Sequence, residues 1–208
     1  MQASKRHKPE ARFLQSISRD LLSFDAEKVC LVTLSNINVY CCLVCGKYLQ
    51  GRSSSSPAYN HAVEYNHNVF INLSSLKVYL LPDGTPVESD FSTIGQIQGN
   101  IDPTYPKDIN AHLSAHPEGR TLYSKSYVPG YIPIDTLPHI SSALQIVTHA
   151  DPIRDWFLLH KGSDNTVLTE FSLFMRRLWY HDLFRAHVSP SVFLKCLEPR
   201  LAKATTPR

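Results

Sequence analysis

Long apolar runs are missing from this chain: no stretch of about 18 unbroken apolar residues occurs, so a membrane-spanning helix is not expected. Cysteine is scarce, at 5 of 208 residues, an odd number with three crowded between positions 41 and 45. That usage argues against a disulfide scaffold and for reduced thiols and a metal in an intracellular compartment. Strong charge of one sign is also lacking, with 21 Lys and Arg against 18 Asp and Glu for a net charge of +3. So mild a balance allows contact with an acidic partner or an RNA surface but builds no basic face, and Lys5, Arg6 and Lys8 read as part of a disordered tail. Residues 1–9 have charge but no apolar region behind them, which is not the pattern of a secretory signal. Internal repeats are absent too.

What is present is Cys42-Leu43-Val44-Cys45, followed by His61 and His67. Zinc takes thiolate sulfur and imidazole nitrogen in a closed shell of four, and a Cys-x-x-Cys turn delivers two thiolates at once. The two histidines can close the tetrahedron, so one structural zinc is expected. They lie further from the cysteines than in a short DNA-reading finger and with a different His spacing, which speaks against a nucleic-acid finger. The blander reading makes Cys42 and Cys45 free buried thiols and the histidines surface residues. Cys41 competes with Cys42 as a ligand, and spacing alone does not exclude the swap. Cys30 can stand behind the metal ligands as a further thiol or lie in the core, and core packing is the favoured reading.

Phe13, Leu14, Ile17, Leu21 and Leu22 have helical spacing and predict an amphipathic helix packed on the finger. Residues 31–34, 69–73 and 77–81 have strand-like composition, the last stopping at Pro82-Asp83-Gly84, and residues 48–58 read as a loop between the halves of the metal site. So small a sheet buries little surface, so the metal is expected to contribute to folding outright. From 91 to 126 the sequence is polar and rich in Gly and Pro, which predicts a linker. Beyond Pro129-Gly130 the pattern turns helical: one helix carries Ile140, Leu144, Ile146 and Val147, and a second carries Trp156, Phe157 and Leu158. A third spans 167–179, and a fourth, capped by Ser189 or Ser191, carries Val192, Phe193, Leu194 and Leu197. The expected fold class is α+β, a small zinc-pinned sheet with a helix followed by an α-helical segment. The expected organisation is a tail at 1–12, a finger at 13–90, a linker at 91–126 and a helical domain at 127–208.

The run from Asn36-Ile37-Asn38-Val39-Tyr40 through Cys42, Cys45, Gly46-Lys47-Tyr48 and Gly51-Arg52, with His61 and His67 ahead of Val69-Phe70-Ile71-Asn72-Leu73, resembles the UBP-type zinc finger found beside ubiquitin-specific proteases. Tyr127-Val128-Pro129-Gly130, Pro152-Ile153-Arg154-Asp155-Trp156-Phe157-Leu158 and Phe174-Met175-Arg176-Arg177-Leu178-Trp179 extend the likeness over roughly residues 20 to 200. With them it narrows to the tri-snRNP-associated, catalytically inactive ubiquitin-specific-protease homologues of pre-mRNA splicing. The resemblance implies a nuclear protein, and it makes the helical segment part of a ubiquitin-hydrolase-like domain. In active members a Cys nucleophile sits at a helix N-terminus, and the matching position here falls near Pro138 or His139, neither of them a thiol. Cys196 lies in an apolar helix pattern with no base ordered against it, and the region that supplies His and Asp in active members lies beyond residue 208. No catalytic residue is therefore expected, and the helices are expected to expose apolar faces that call for a partner.

Two functions of different class follow from the resemblance. One is a non-catalytic splicing assembly factor that docks proteins of the spliceosomal tri-snRNP. The other is a ubiquitin receptor, since fingers of this type can capture the free C-terminus of ubiquitin; the matching residues here are Lys47, in place of an Arg, with Tyr40, Tyr48 and Tyr79 as walls. Lys lacks the bidentate fork that Arg offers a carboxylate, which weakens that pocket. Direct RNA binding rests only on Lys47, Arg52 and mild basicity, and would show itself as a salt-dependent affinity.

Overall fold

The computed structural model describes residues 13–87, 92–115, 119–120, 126–127, 138–162, 165–185 and 187–205. Two compact units result. The first comprises Met1–Ser23 and Lys28–Ile97, the second Phe24–Glu27 and Gln98–Arg208. The expected tail at 1–12 lies outside the described residues.

The first unit is built on a five-stranded antiparallel sheet in the order β2-β1-β3-β4-β5, with β1 Val39–Cys42, β2 Tyr48–Gln50, β3 Val69–Asn72, β4 Val78–Leu80 and β5 Thr85–Val87. Every residue of β1 and β3 is buried, as central strands covered on both faces require. The register opposes Tyr40 to Leu49 and Asn72, Cys42 to Phe70, and Phe70 to Tyr79. Because side chains alternate across a strand, Tyr40, Cys42, Leu49, Phe70 and Tyr79 share one face. Helix α1 (Pro57–Tyr65) lies on it, and Ala58 and Ala62 complete the cluster.

Three turns of this unit repeat one design. In each, residue i donates its N–H to the carbonyl of i+5 and accepts the N–H of i+4, and residue i+4 is left-handed: Cys30 with Leu34, Cys42 with Gly46, Asn72 with Leu76. The side chain of residue i accepts the N–H groups of i+2 and i+3. Cys30 Sγ takes those of Val32 and Thr33, Asn72 Oδ1 those of Ser74 and Ser75, and Cys42 those of Val44 and Cys45. Only the Cys42 turn has a second thiol at i+3. The Cys30 turn also seals the edge of β2: Leu31 N–H reaches Tyr48 O, and Gln50 N–H reaches Cys30 Sγ at 3.2 Å.

Three expectations for this unit fail. The loop expected over 48–58 begins as β2 and ends in the first turn of α1. Residues 31–34 form the Cys30 turn rather than a strand, with Leu31, Val32 and Leu34 exposed. The expected helix over 13–22 is reduced, within the described residues, to a helical end at 13–14 and a 3-10 turn at Arg19–Leu21. There Ser16 N–H and Oγ both bond Phe13 O, and Ser18 N–H turns away to Leu43 O.

The second unit is mainly helical: α3 Ile109–Ala115, α4 Pro138–His149, α5 Asp151–Leu159, α6 Thr166–Leu178 and α7 Ser191–Thr205, with a two-stranded pair β6 Gly119–Arg120 and β7 Ser126–Tyr127. Asn165 caps α6 by accepting the N–H of Val167. The core joins Leu144, Phe171, Phe174, Met175, Leu178, Leu183, Val188 and Phe193. Buried Arg176 and Arg177 on α6 are held by neighbours: Arg176 bonds Asp102 at 2.7 Å and Ser172 at 2.8 Å, while Arg177 donates twice to Ile101 O.

The stretch expected as a linker carries structure. Helix α2 (Ser92–Ile101) buries Ile94, Ile97 and Ile101, and α3 follows it. Gly99 reads as a breaker yet serves packing, since a Cβ there would stand 2.1 Å from Tyr180 Oη.

Candidate metal centre

The knuckle between β1 and β2 presents Cys42 at the strand end and Cys45 in the turn. Gly46 closes it at φ 76° with its Cα against Leu21 O, where a Cβ would approach to 2.4 Å. The histidines come from α1 and its exit. Ser56 caps the helix through Tyr59 N–H, Pro57 occupies its first turn, and Asn66 ends it at φ 55° and ψ 33°. His61 thus sits on the buried side of the helix, and the left-handed turn at Asn66 brings His67 back toward it.

Among the described residues, Cys42, Cys45, His61 and His67 form the one cluster of ligating side chains, with one donor atom from each and all four within 4.8 Å of one another. Cys42 Sγ lies 3.7 Å from His67 Nδ1, Cys45 Sγ 3.4 Å from His61 Nε2, and His61 Nε2 3.1 Å from His67 Nδ1. Zinc bonds of about 2.3 Å to sulfur and about 2.0 Å to nitrogen, at tetrahedral angles, give edges of about 3.6 Å between S and N and about 3.3 Å between two N. The donor set and its spacing therefore fit one zinc ion, bound through Nε2 of His61 and Nδ1 of His67.

Burial pushes the Cys42 thiol up to about 12 against the pull of the N–H groups of Cys45 and Val44. Burial also lowers His61 below the ordinary imidazole value, helped by the charges of His67 and Lys47, so the ring is neutral and free to ligate. Metal binding must displace thiol protons, so zinc affinity weakens in acid.

Strand alternation separates the two adjacent cysteines. Cys42 faces the site, while Cys41, fully buried on the opposite face beside Tyr48, directs its thiol to Cys42 O at 3.6 Å. Cys30 is buried in its own turn. Burial raises its thiol, but hydrogen bonds from Thr33, Val32 and Gln50 outweigh that and hold it below the usual thiol range.

Of the four residues matched to a ubiquitin-tail pocket, Tyr40 and Tyr79 come together, edge to face at 6.0 Å. Tyr48 lies on the other face of the sheet, buried, with its hydroxyl donated to Ser23 O at 2.7 Å. Exposed Lys47 sits 5.6 Å from the centroid of Tyr65. The cation beside the tyrosine pair is instead Arg52, 4.4 Å over Tyr79. Tyr65, Gly46 and Asn66 also shape the metal site and Arg52 the tyrosine pair, none of them marked for it by residue type or spacing. Ser56-Pro57 followed by Asn66 was the signal in the sequence for the helix that organises them.

Residues 29–92 match the model of the zinc finger of ubiquitin hydrolases and other proteins. This part of the chain is a UBP-type zinc finger. The chain around it is 40% identical over 189 residues to the probable mRNA-splicing protein ubp10 of Schizosaccharomyces pombe, covering 88% of this chain and 37% of that protein. It is 35% identical over 206 residues to human ubiquitin carboxyl-terminal hydrolase 39, covering 92% of this chain and 36% of that protein. Among solved structures, an essential yeast splicing factor superimposes with a TM-score of 0.84 at 33% identity, covering 95% of this chain and 51% of that one. The chain thus spans under half the length of these two curated relatives. The likeness extends from the UBP-type finger through the helical unit.

Proposed function

We propose that this chain is a non-catalytic component of the nuclear splicing machinery that acts by protein docking on the tri-snRNP. The observation that carries the reading is the likeness to splicing proteins over nearly the whole chain, finger and helical unit together. A zinc-pinned sheet offers a rigid surface. The helical unit adds a groove of about 470 Å³ lined by apolar side chains, among them Leu144, Val147, Phe157, Val167, Phe171 and Phe193.

The absence of catalysis is part of the proposal. Helix α4 begins at Pro138, the place where active ubiquitin-specific proteases would carry their thiol, and the side chains of Pro138 and His139 lie outside the described residues. Four of the five cysteines lie in the finger. The fifth, Cys196 on α7, is raised by burial and by the carboxylates of Glu170 and Glu27, the reverse of nucleophile activation.

A second reading, capture of the ubiquitin C-terminus, is favoured by one observation: Arg52 lies over the ring of Tyr79, which meets Tyr40 edge to face, and Arg can grip a carboxylate with two parallel N–H groups. One pull-down of the tagged chain from nuclear extract, with snRNAs and ubiquitin probed in the same eluate, separates the two. Recovery of the tri-snRNP RNAs without ubiquitin is the result expected. Ubiquitin without snRNA, lost again on Arg52→Ala, would replace the docking proposal with the second reading.

A further inference from the structure

Tyr65 is the last residue of α1, four residues after His61, and side chains at that spacing share a helix face. Its ring stacks on the imidazole of His61 at 4.8 Å with an interplanar angle of 27°, and lies 6.2 Å from the ring of His67. The ring thus stacks on one histidine ligand and lies near the other. Across the site, Lys47 follows Cys45 and Gly46 in the knuckle and places its ammonium 5.6 Å from the Tyr65 centroid, within reach of a cation–π contact. The knuckle that supplies the thiolates and the helix that supplies an imidazole are thus bridged a second time, outside the ligand shell. The stacked ring costs little to maintain, because Tyr65 is 52% exposed and serves no core.

We infer that Tyr65, held by Lys47, is a positioning residue that fixes the ring plane of His61 and slows the escape of zinc from the finger. A tetrahedral site loses its metal when one ligand swings away and solvent or a competing ligand takes its place. His61 can turn about its side-chain bonds only if Tyr65 unstacks, and Lys47 opposes that motion. Lys47 thereby acquires a role at the metal rather than beside the Tyr40 and Tyr79 pair.

The test is the rate at which the zinc-loaded chain transfers its metal to an excess of a chromophoric chelator, at fixed pH and with helix content followed in parallel. Tyr65→Leu is expected to release zinc about tenfold faster, as loss of a group that orients a ligand does. Tyr65→Phe keeps the ring and should stay near the starting rate. Lys47→Met should accelerate release about threefold, as loss of an exposed cation–π contact would. Val63→Ala, an exposed change on the same helix, should leave the rate alone. The cobalt(II)-loaded protein adds a readout that general destabilisation does not move: its visible d–d bands should shift for Tyr65→Leu and not for Val63→Ala. Equal rates for Tyr65→Leu and the parent chain would overturn the inference, as would equal acceleration by Val63→Ala or an acceleration by Tyr65→Phe matching that by Tyr65→Leu. Should Tyr65→Leu fail to fold, Lys47→Met against Lys47→Arg decides, and identical release from those two would overturn it.

Discussion

Cys41 and Cys42 are neighbours, both fully buried, and have different work because one strand presents them to opposite faces. Cys42→Ser should leave the chain without bound zinc and the finger without its fold, since structural zinc contributes about 10 kcal/mol or more to such a domain. Cys41→Ser should keep its zinc and lose only about 1–3 kcal/mol of stability for a buried hydroxyl. Elemental analysis of the purified variants, with denaturation midpoints, checks both. Two carboxylates of the helical unit set a further test with opposite signs. Burial would raise Asp102, but the hydrogen bond from Lys161 and the charge of Arg176 outweigh it and hold the carboxyl below its ordinary value. Its contribution to stability is then present above the ordinary value and lost as pH falls through the lowered one. Asp25 is raised, chiefly by burial, against the pull of Arg177 and the Ser189 N–H. Its ionisation therefore costs stability as pH rises from the ordinary value through the raised one. In urea midpoints measured from pH 7 to pH 3, Asp102→Asn should lessen the acid loss of stability, and Asp25→Asn should remove a part that improves with acid. Matching slopes for both variants would contradict the assignment.

At the scale of elements, the repeated turn explains why one Cys pair suffices. The backbone of the Cys42 turn is shaped as in the Cys30 and Asn72 turns, where side-chain acceptors bind the same N–H groups without a second thiol. Gly46 is the least replaceable residue of that turn. Gly46→Ala meets both a positive φ and the Leu21 carbonyl, so a loss of roughly 2 kcal/mol or more is expected, together with weaker zinc binding. Thermal unfolding of the zinc-loaded variant measures the first, chelator competition the second. The four ligands were legible because ligand chemistry demands particular residue types at workable spacing. Helices α4 to α7 were legible because their apolar residues recur at helical spacing; Ile146 is exposed nonetheless, so that pattern marked the helix better than the face. Strands β1 and β2 were hidden, β1 by the cysteines that crowd it and β2 by its three residues beside a Gly and Ser loop. Residues 31–34 misled because β-branched composition says nothing of a left-handed residue such as Leu34 at φ 56°. In α2 the glycines and polar residues around Ile94, Ile97 and Ile101 mask their helical spacing, although Gly99 is there to pack on Tyr180.

Over the whole molecule, the ligating chemistry among the described residues lies in the first unit, while both units leave apolar side chains exposed, Leu31, Val32 and Leu34 in the first and Trp156, Leu159 and Leu168 in the second. Burial of two arginines on α6 and the exposure of Trp156, Leu159 and Leu168 give the helical unit a fixed interior with apolar side chains left outside. Such a surface suits a protein partner, in keeping with the docking proposed for it. Everything proposed for the finger, from its sheet to the Tyr65 bracket, depends on one zinc held by Cys42, Cys45, His61 and His67. The direct measurement is native mass spectrometry of the purified chain before and after chelation, with amide hydrogen exchange read across β1, β3 and α1 in the two states. One zinc per chain, and loss of protection in those elements once it is removed, is the result expected. A chain that carries no zinc, or a sheet that keeps its full protection without it, would contradict the account.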